Sequence, residues 1–463
     1  MKQSEKVTPV RERVTTIGDR GSRIWLYPIN FKGIWLQRRR MVAYILTVIY
    51  FIIPWIHIGG QPAVLLDLRH RKMALFGLTL WPQDTLIFWF FMVGLGLSLF
   101  MVTAWWGRIW CGWACPQTVF MEHLFRPIEV WVEGNARQRK RLDAAPWNFE
   151  KIRKKLTKYI LFVLVSSAVA NTFLFYFAGT DRVLEMMTSS PVENKGWFFF
   201  MMFINLAFIF NFSWFREQLC LVACPYGRFQ SVMLDDNSLI VGYDAKRGEP
   251  HNRKAKAEGL TPGDCIDCRQ CVNVCPTGID IRHGLQMECV NCTACIDACD
   301  EVMDKMKRPR GLIRYSSINE LSGKESRFWR PRPIVYAVLI LILWTTGGVI
   351  YTQKDPLRIQ FLRPAGDSFS VDGEVITNQF VMKAIHKGQE PVILDLEAQE
   401  GVELITPFNP WTIEEQSTAK APILIRINRA DMPDSGRQQV TIRFKQEGRE
   451  DRVKRVELIG SRQ

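Results

Sequence analysis

The feature that most constrains the fold of this 463-residue chain is a set of five long apolar runs. They cover residues 41–58, 86–105, 158–179, 197–215 and 333–351. A helix needs roughly 20 predominantly apolar residues to cross a bilayer, and it pairs the backbone polar groups that a membrane leaves without water. The sequence therefore predicts a multi-domain membrane protein with an α-helical transmembrane bundle of five spans.

Basic residues around these runs predict the orientation of the chain. The three arginines at 38–40 directly precede the first run, and eight Lys or Arg side chains lie at 137–155, in the loop after the second run. Loops rich in Lys and Arg stay on the cytoplasmic side. We therefore expect 1–40 and 216–332 to be cytoplasmic and 352–463 to be periplasmic, in a bacterial inner membrane. We therefore attribute the net charge of +14 to basic residues that orient the chain in the membrane, and we expect no nucleic-acid partner.

Eight of the twelve cysteines form the most specific motif of the chain. Residues 265–276 read CIDCRQCVNVCP and residues 289–299 read CVNCTACIDAC, so both runs have the spacing C-x2-C-x2-C-x3-C. In the bacterial two-cluster ferredoxin pattern, the fourth cysteine of each run binds the cluster of the other run. The predicted ligands of two 4Fe-4S clusters are therefore Cys265, Cys268, Cys271 and Cys299 for the first, and Cys289, Cys292, Cys295 and Cys275 for the second.

Structural zinc is the alternative for these cysteines, because paired C-x2-C motifs also build zinc ribbons. The complete eight-cysteine spacing, with Pro276 after the first run, favours iron–sulfur clusters in a ferredoxin-like α+β domain. Asp300 stands after Cys299, where the motif usually has proline, so we expect the second loop to turn differently. A reducing compartment keeps thiols free, which agrees with the predicted cytoplasmic location.

The other four cysteines form two Cys-x-x-x-Cys-Pro turns, each at the end of an apolar run. Residues 109–118 read IWCGWACPQT and residues 218–227 read QLCLVACPYG. Proline disfavours helix at the residue before it and suits the first position of a helix. Each turn is therefore expected to separate a span from a second helix at the cytoplasmic face. Four thiolates are available there for metal binding or redox chemistry, those of Cys111, Cys115, Cys220 and Cys224.

Three functional interpretations of these four thiolates remain open. They are a redox-active dithiol, a soft-metal site for an ion such as Cu(I), and ligands of a further cluster. Ordinary buried cysteines are the structural alternative, since free cysteine is among the most buried residue types. His123, eight residues after Cys115, could face the same site, although a lone histidine is more often structural.

Residues 356–463 contain no cysteine and no long apolar run. Seven stretches there have β-type patterns, and turn residues separate them: LRIQFL, EVITNQFVMKAI, PVILDLE, VELIT, PILIRIN, QVTIRFK and DRVKRVELIG. This spacing predicts an all-β immunoglobulin-like sandwich. The predicted domains are an N-terminal segment (1–40), a four-span membrane domain (41–215), a cytoplasmic segment (216–332) with the cluster domain at about 260–305, a fifth transmembrane helix (333–351) and the periplasmic sandwich (352–463).

In combination, these features resemble the cytochrome c oxidase accessory protein family, also called the CcoG, FixG or RdxA group. The features are the turns at 111–116 and 220–225, the eight-cysteine segment, a fifth span and a C-terminal sandwich. The resemblance covers nearly the whole chain. The two turns are also similar to those of membrane polyferredoxins that serve nitrate and nitrous oxide reductases.

The resemblance implies a role in the maturation of a cbb-type haem–copper oxidase, through reduction of Cu(II) to Cu(I). We add the hypothesis that copper is bound and reduced at the four turn cysteines, which would make the chain a cupric reductase. Implied partners are copper ions, copper-handling proteins, oxidase assembly factors and a cytoplasmic electron donor, with a homodimer as one option for the assembly. No strand followed by G-x-G-x-x-G is present, so the donor is expected to be another protein or a small reductant.

Two other functional classes fit the sequence. One is an electron-transfer subunit that passes electrons to quinone or to a periplasmic reductase. The other is a non-enzymatic assembly scaffold that binds oxidase subunits through the sandwich.

Overall fold

The computed structural model describes residues 23–463 apart from 59–60, 68–71, 81–83, 252–258, 354–356, 365–368, 387, 389, 416, 447–450 and 461–463. The first 22 residues of the predicted N-terminal segment therefore lie outside the described residues. The chain divides into two compact units, Met1–Gly348 and Val349–Gln463. All twelve cysteines belong to the first unit.

Four described helices are long and apolar enough to cross a membrane. They are Thr85–Trp106, Phe149–Ala178, Lys195–Phe215 and Pro331–Thr352. They coincide with the second to fifth predicted runs, and the part of the third helix from Lys195 to Phe210 buries none of its residues. A helix that is apolar on all sides and uncovered by protein is a membrane span.

The first predicted run, 41–58, begins inside helix Ile34–Ile52 and continues through the 3-10 turn Ile53–Trp55. Arg39 in this helix is buried, and the apolar residues beyond it, such as Tyr44 and Val48, are exposed. This helix is not among the four candidate spans, so the fifth span stays a prediction.

Shorter helices connect the spans. The α-helices are Ile109–Trp113, Pro116–Phe120, Arg126–Glu133, Ala136–Ala144, Thr180–Thr188, Pro225–Met233, Ala245–Gly248, Gln270–Asn273, Ala294–Lys305 and Ile318–Leu321. The π-helical stretches are Met121–Phe125, Asn211–Phe215 and Leu219–Ala223, and Ile281–His283 is a 3-10 turn. All three π-helical stretches lie close to the Cys-x-x-x-Cys-Pro turns, and π-helices occur frequently at functional sites.

The eight-cysteine segment is built on the antiparallel strands Ile240–Tyr243 and Ile313–Ser316. Its second cysteine run enters helix Ala294–Lys305, and Asp297 of that helix accepts hydrogen bonds from the backbone N–H of Leu36 (2.8 Å) and Trp35 (3.2 Å). These N–H groups belong to the first turn of helix Ile34–Ile52, where no partner exists within the helix. Asp297 therefore anchors this helix on the cluster segment.

The loop before Thr85 contains small antiparallel sheets that the sequence patterns did not predict. Their strands are His57–Ile58 paired with Gln61–Pro62, and Val64–Asp67, Lys72–Leu75 and Leu78–Leu80 in order.

The second unit consists of two antiparallel sheets. One contains, in order, Val402–Ile405, Thr418–Asn428, Val375–His386 and Leu357–Leu362, with Phe369–Asp372 also paired to Val375–His386. The other contains Trp411–Ile413, Val392–Ala398, Arg437–Gln446 and Arg452–Ile459. Alternating residues of both sheets, such as Ile376, Met382, Leu394 and Phe444, bury their side chains in one shared core, as two sheets packed face to face require.

All seven stretches predicted as strands form strands in this unit, and two short strands, Phe369–Asp372 and Trp411–Ile413, add to them. A two-sheet β unit is therefore present in the described residues. The immunoglobulin-like topology stays a prediction.

Candidate metal centres

The two cysteine runs of the cluster segment share one backbone shape. In each run the residues on either side of the second cysteine have positive φ, at Asp267 (56°) and Arg269 (53°), and at Asn291 (51°) and Thr293 (62°). Non-glycine residues are uncommon in this left-handed region, and a β-branched threonine there is an outlier that its surroundings must hold. Left-handed residues in a turn build the nests of backbone N–H groups found at many iron–sulfur sites.

Each predicted ligand set lines a cavity of its own. Cys265, Cys268, Cys271 and Cys299, named here the first centre, line a cavity of about 380 Å³. Cys275, Cys289, Cys292 and Cys295, the second centre, line a cavity of about 350 Å³, which Cys271 also borders. The fourth cysteine of each run thus lies beside the first three of the other run, as crossed ligation requires, and the ligand assignment itself stays a prediction.

These cavities suit a cluster better than a single ion. Within the described parts of the chain, no three His, Cys, Asp or Glu side chains are close enough together to hold one metal ion. A structural zinc needs four ligands at about 2.0–2.3 Å from one point, whereas a 4Fe-4S cluster takes its four thiolates around a larger body. The second cavity is otherwise lined mainly by apolar side chains such as Val241, Ile279 and Ile281. Four thiols around each of two separate cavities, in the crossed arrangement, fit iron–sulfur clusters.

Without a bound metal, burial keeps these cysteines in the protonated thiol form. It raises the pKa of Cys271, Cys289 and Cys299 to about 12 and that of Cys292 to about 11. A metal binds the thiolate, so the positive charge of iron has to offset this desolvation, and binding releases protons.

The residue after the last cysteine decides how each run ends. Pro276 follows the first run, and a proline cannot continue a helix because it lacks the backbone N–H. The second run lies inside helix Ala294–Lys305, which continues through Asp300. The Asp300 carboxylate accepts the backbone N–H of Gly311 at 2.9 Å. The chain therefore leaves the two runs differently after their last cysteine, although the loops around the second cysteine of both runs have the same left-handed residues.

Each Cys-x-x-x-Cys-Pro turn starts a helix at its proline, as predicted. Cys115 and Cys224 have extended backbone, with ψ of 125° and 111°, and helices Pro116–Phe120 and Pro225–Met233 follow them. The residues of the first cysteine turn are 109–116 and those of the second cysteine turn are 218–225. The helices before both turns end at a residue with positive φ, Gly107 (57°) and Arg216 (50°).

The structure brings the four turn cysteines together. Burial raises the pKa of Cys220, and the charges of Cys115, Cys111 and Cys224 would raise it further. Burial also raises the pKa of Cys111 to about 11, and Cys115 and Cys224 act on it in the same direction. The thiol of Cys111 donates to the side-chain oxygen of Gln230 at 3.4 Å, and Gln230 is fully buried. Two turns that are far apart in sequence thus lie close enough for their thiols to influence one another, although among the described residues no three of them converge as the ligands of one ion do.

Buried charges support the second turn. Arg216 donates to both carboxylate oxygens of Glu129, at 2.6 and 3.1 Å, and Arg139 donates to the same carboxylate at 3.1 Å. Burial alone would raise the pKa of Glu129, but the Arg216 guanidinium outweighs it and lowers this pKa to about 2. The carboxylate is therefore ionised although it is buried, as paired buried charges are.

His123 occupies a packing position. Its ring lies edge-on to Tyr44 at 6.3 Å between centroids, within the π-helical stretch Met121–Phe125. Burial, together with Arg39 and Arg40, lowers the pKa of His123 to about 3, so the imidazole is neutral.

Sequence reasoning missed three buried polar residues at the turn site: Arg39, Arg108 and Gln230. Arg39 was interpreted only as a topology signal. The sequence did contain a pattern that points to Arg108. One arginine, Arg108 or Arg216, follows the aromatic end of the span before each turn, three or four residues before the first cysteine of that turn.

Two family models match the chain. One is a 4Fe-4S dicluster domain over residues 215–318, and the other is a 4Fe-4S binding domain over residues 85–140. The first covers the second cysteine turn and the cluster segment, and the second covers the first cysteine turn. Iron–sulfur binding is thereby assigned to the chain.

Curated relatives match most of the chain. It is 41% identical over 348 residues to the nitrogen fixation protein FixG of Rhizobium meliloti (strain 1021), covering 72% of this chain and 62% of FixG. It is 40% identical over 344 residues to protein RdxB of Cereibacter sphaeroides, covering 70% of each. Protein RdxA of the same organism is 36% identical over 360 residues, covering 74% of this chain and 73% of RdxA. The chain belongs to the FixG/RdxA family.

The family resemblance predicted from the motifs is thus confirmed, and this FixG/RdxA chain is an iron–sulfur protein with helices long and apolar enough to cross a membrane. It spans less than two thirds of the length of FixG. Among solved structures, the FixG-related protein from Vibrio parahaemolyticus aligns with 23% of this chain and 98% of its own, at 17% identity and a TM-score of 0.21.

Proposed function

We propose that this FixG/RdxA protein reduces Cu(II) to Cu(I) for the assembly of a cbb-type cytochrome c oxidase. The observation that carries the proposal is that Cys111, Cys115, Cys220 and Cys224, from two turns far apart in sequence, lie near one another beside the cluster segment. Soft thiolate ligands suit Cu(I), so a site of this composition favours the product of the reduction over its substrate.

The eight cysteines of the first and second centres are the proposed cluster ligands, in the crossed arrangement. An iron–sulfur cluster supplies one-electron transfer when bound. The chain's own residues supply thiolates, hold the loops in left-handed turns and keep water from the second centre, where Cys289 and Cys292 are buried. The first centre includes Cys268, whose exposure suits the arrival of electrons from outside.

The reaction balances one electron for each copper ion. A cytoplasmic donor, either a protein or a small reductant, is oxidised by one electron, and one Cu(II) at the turn thiols becomes Cu(I). Cu(I) then passes to a copper-handling protein, and no proton is part of the net transfer.

This function fits a specific arrangement in the membrane. We propose five spans, with helix Ile34–Ile52 as the first, and we place the N-terminus and both centres in the cytoplasm and the second unit in the periplasm. The basic loops between residues 137 and 155 support this orientation. The alternating core of the two sheets supports an immunoglobulin-like sandwich as the fold of the second unit.

An anaerobic stoichiometric reaction tests the function. The protein is reduced, freed of excess reductant and mixed with Cu(II) while paramagnetic resonance follows the clusters and a Cu(I)-specific chelator follows the product. We expect cluster oxidation to match Cu(I) formation electron for electron. The control is Cys111→Ser combined with Cys220→Ser, which should retain the reducible clusters and lose the reaction. Clusters that stay reduced after Cu(II) is added would exclude copper as the acceptor.

A second candidate is an electron-transfer subunit that delivers electrons to quinone or a periplasmic reductase, with a further cluster at the turn thiols. The match of residues 85–140 to a 4Fe-4S binding domain favours this candidate. Iron content discriminates between the two, because a further cluster adds about four irons to the eight of two clusters. The same double variant should then lose about a third of its iron, whereas a copper site predicts no loss.

A further inference from the structure

The first cysteine turn lies directly against the loop of the second centre. A Cβ atom added to Gly112 would come within 2.5 Å of the carbonyl oxygen of Asn291 and 2.7 Å of that of Val290. Trp113 of the same turn donates to the Tyr315 hydroxyl at 3.0 Å, and that hydroxyl donates to the carbonyl of Asn291 at 3.3 Å. Glycine between the turn cysteines therefore lets two backbone segments touch at the loop from Cys289 to Cys292.

Arg108 joins this loop to both cysteine turns. Arg108 is 4% exposed, and its guanidinium donates to the carbonyl of Cys289 at 3.1 Å, to the carbonyl of Met287 and to the carbonyl of Gly227 at 3.1 Å. Gly227 directly follows the second turn, and Arg108 also acts electrostatically on Cys111 and Cys289. One buried positive charge thus lies between the second centre and the turn thiols.

Arg39 makes a parallel connection. Its Nε donates to the carbonyl of Gly112 at 3.2 Å, and its Nη1 donates to the carbonyl of Cys292. The second cysteine turn also approaches this side, because Cys220 lines a cavity of about 390 Å³ together with Pro276, Thr277 and Val290. These three residues adjoin the second-centre cysteines Cys275 and Cys289.

The first centre has different surroundings. The backbone N–H of Cys265 binds the carbonyl of Gly248 at 3.3 Å, and Asp267 pairs with Arg282 at 2.6 Å, both within the cluster segment. Cys268 of this centre is exposed. The two centres are therefore unequal, with the second against the turn thiols and the first toward solvent.

We propose that Arg108 couples the second centre to the turn thiols, and that the second centre is the immediate electron donor to copper bound there. The inference rests on the proposed function for its acceptor. One electron leaves the second centre, one Cu(II) gains it, and the first centre, supplied by the cytoplasmic donor, replaces the electron. Arg108 is a positioning residue, and its charge stabilises the extra electron on the adjacent centre because opposite charges attract strongly in a low-dielectric interior.

The first experiment measures reduction midpoints without copper. Potentiometric titration followed by paramagnetic resonance compares wild type with Arg108→Gln, Arg108→Lys and the control Arg314→Gln. Arg314 also pairs with an aspartate (Asp244, 2.9 Å) and a carbonyl (Gly311, 3.0 Å) of the cluster segment. We expect Arg108→Gln to lower the midpoint of one centre, the one that Cys295→Ala removes, and Arg108→Lys to restore it. Unchanged midpoints, or a shift of the other centre, would overturn the proposed coupling.

The second experiment counts electrons delivered in a single turnover. Reduced proteins free of excess reductant are mixed with Cu(II), and we expect about two Cu(I) per chain for wild type, about one for Cys268→Ala and none for Cys295→Ala, since each cluster stores one electron. Arg108→Gln should deliver the same number of electrons, because both clusters remain bound. Delivery by Cys295→Ala at the wild-type rate would refute the order of the centres. Absence of Cu(I) from wild type would instead count against the proposed function, while the copper-free midpoints would still decide the role of Arg108.

Discussion

The cluster segment and the two cysteine turns use the same residue type in different ways. In the cluster segment, eight cysteines within 35 residues line two adjoining cavities, and closely spaced left-handed residues shape both loops. In the turns, each pair of cysteines depends on a partner pair beyond two membrane helices, and the meeting point is held by Arg108, Gln230 and the Arg216–Glu129 pair. The first site is encoded locally and the second is assembled by tertiary contacts.

This difference has a physical consequence for how each site fails. A locally encoded site loses function when a ligand is lost, because the loop geometry has no other purpose than to present thiolates. An assembled site also loses function when a supporting contact is lost, because nothing in the turn itself keeps the two pairs together. Comparing substitutions of ligands with substitutions of supporting residues therefore distinguishes a locally encoded site from an assembled one.

The largest effect is expected from ligand substitutions in the cluster segment. Cys275→Ala should remove the same centre as Cys295→Ala, although Cys275 belongs to the other run, because crossed ligation places both in one set. We expect each variant to lose about half of the iron bound by a two-cluster protein and to lack the same resonance signal. Chemical iron analysis and paramagnetic resonance of the reduced proteins provide the measurement.

Cys111→Ala serves as the matched control, since it replaces a half-buried cysteine outside the segment and should leave the iron content unchanged if the turns hold copper. Crossed ligation would be wrong if Cys275→Ala gave the signal of Cys268→Ala instead. In that case each run would bind its own cluster.

A supporting contact of the turns gives the next largest effect. Glu129→Gln removes the carboxylate that Arg216 and Arg139 share, and leaves Arg216 only its longer pair with Glu217 at 3.7 Å. Breaking a buried pair in this way costs about 3–5 kcal/mol of folding free energy. We expect a large loss of thermal stability in detergent and faster alkylation of Cys220, with both clusters still bound.

Glu150→Gln is the control for this variant, since Glu150 makes an exposed surface pair with Lys154 at 2.6 Å and its loss should change stability little. The pH dependence follows from the sign of the shift. The pKa of Glu129 is lowered to about 2 in the folded chain, so its contribution is complete above the unfolded value of about 4.3 and is lost as the pH falls through about 2. Equal effects of the two substitutions would contradict a supporting role for Glu129.

The same contrast explains what the sequence could predict. The eight ligands, their two sets and the helix starts at Pro116 and Pro225 follow from spacing and proline chemistry over a few residues. The structure confirms the two helix starts, and the ligand sets stay a prediction. Seven strands of the second unit follow from alternation along each strand. The short strand Trp411–Ile413 has three residues and offers too little pattern to recognise.

These local patterns could not predict contacts between side chains that are far apart in the sequence. Cys111 meets Gln230 across 119 residues, and Arg216 meets Glu129 across 87. A glutamine in a polar helix and a glutamate in a basic loop look like solvated side chains until the tertiary structure buries them. The basic residue at 39 illustrates the same limit, because the positive-inside rule explains its presence near a membrane but not the hydrogen bonds of its guanidinium to the cluster loop.

The smallest effect is expected where the two regions touch. Gly112→Ala places a methyl group 2.5 Å from the carbonyl oxygen of Asn291, and the neighbour is backbone, which cannot rotate away. The turn must shift from the cluster loop, at a cost of about 1–3 kcal/mol typical of overpacking. We expect a modest loss of thermal stability together with slower copper reduction, since the distance between the second centre and the turn thiols increases. Gly96→Ala is the control, because a Cβ at Gly96 meets nothing within 4 Å and alanine favours helix. If Gly112→Ala were as stable and as active as Gly96→Ala, the contact between the turn and the cluster loop would not limit electron delivery, and the two regions would be separate sites in one chain.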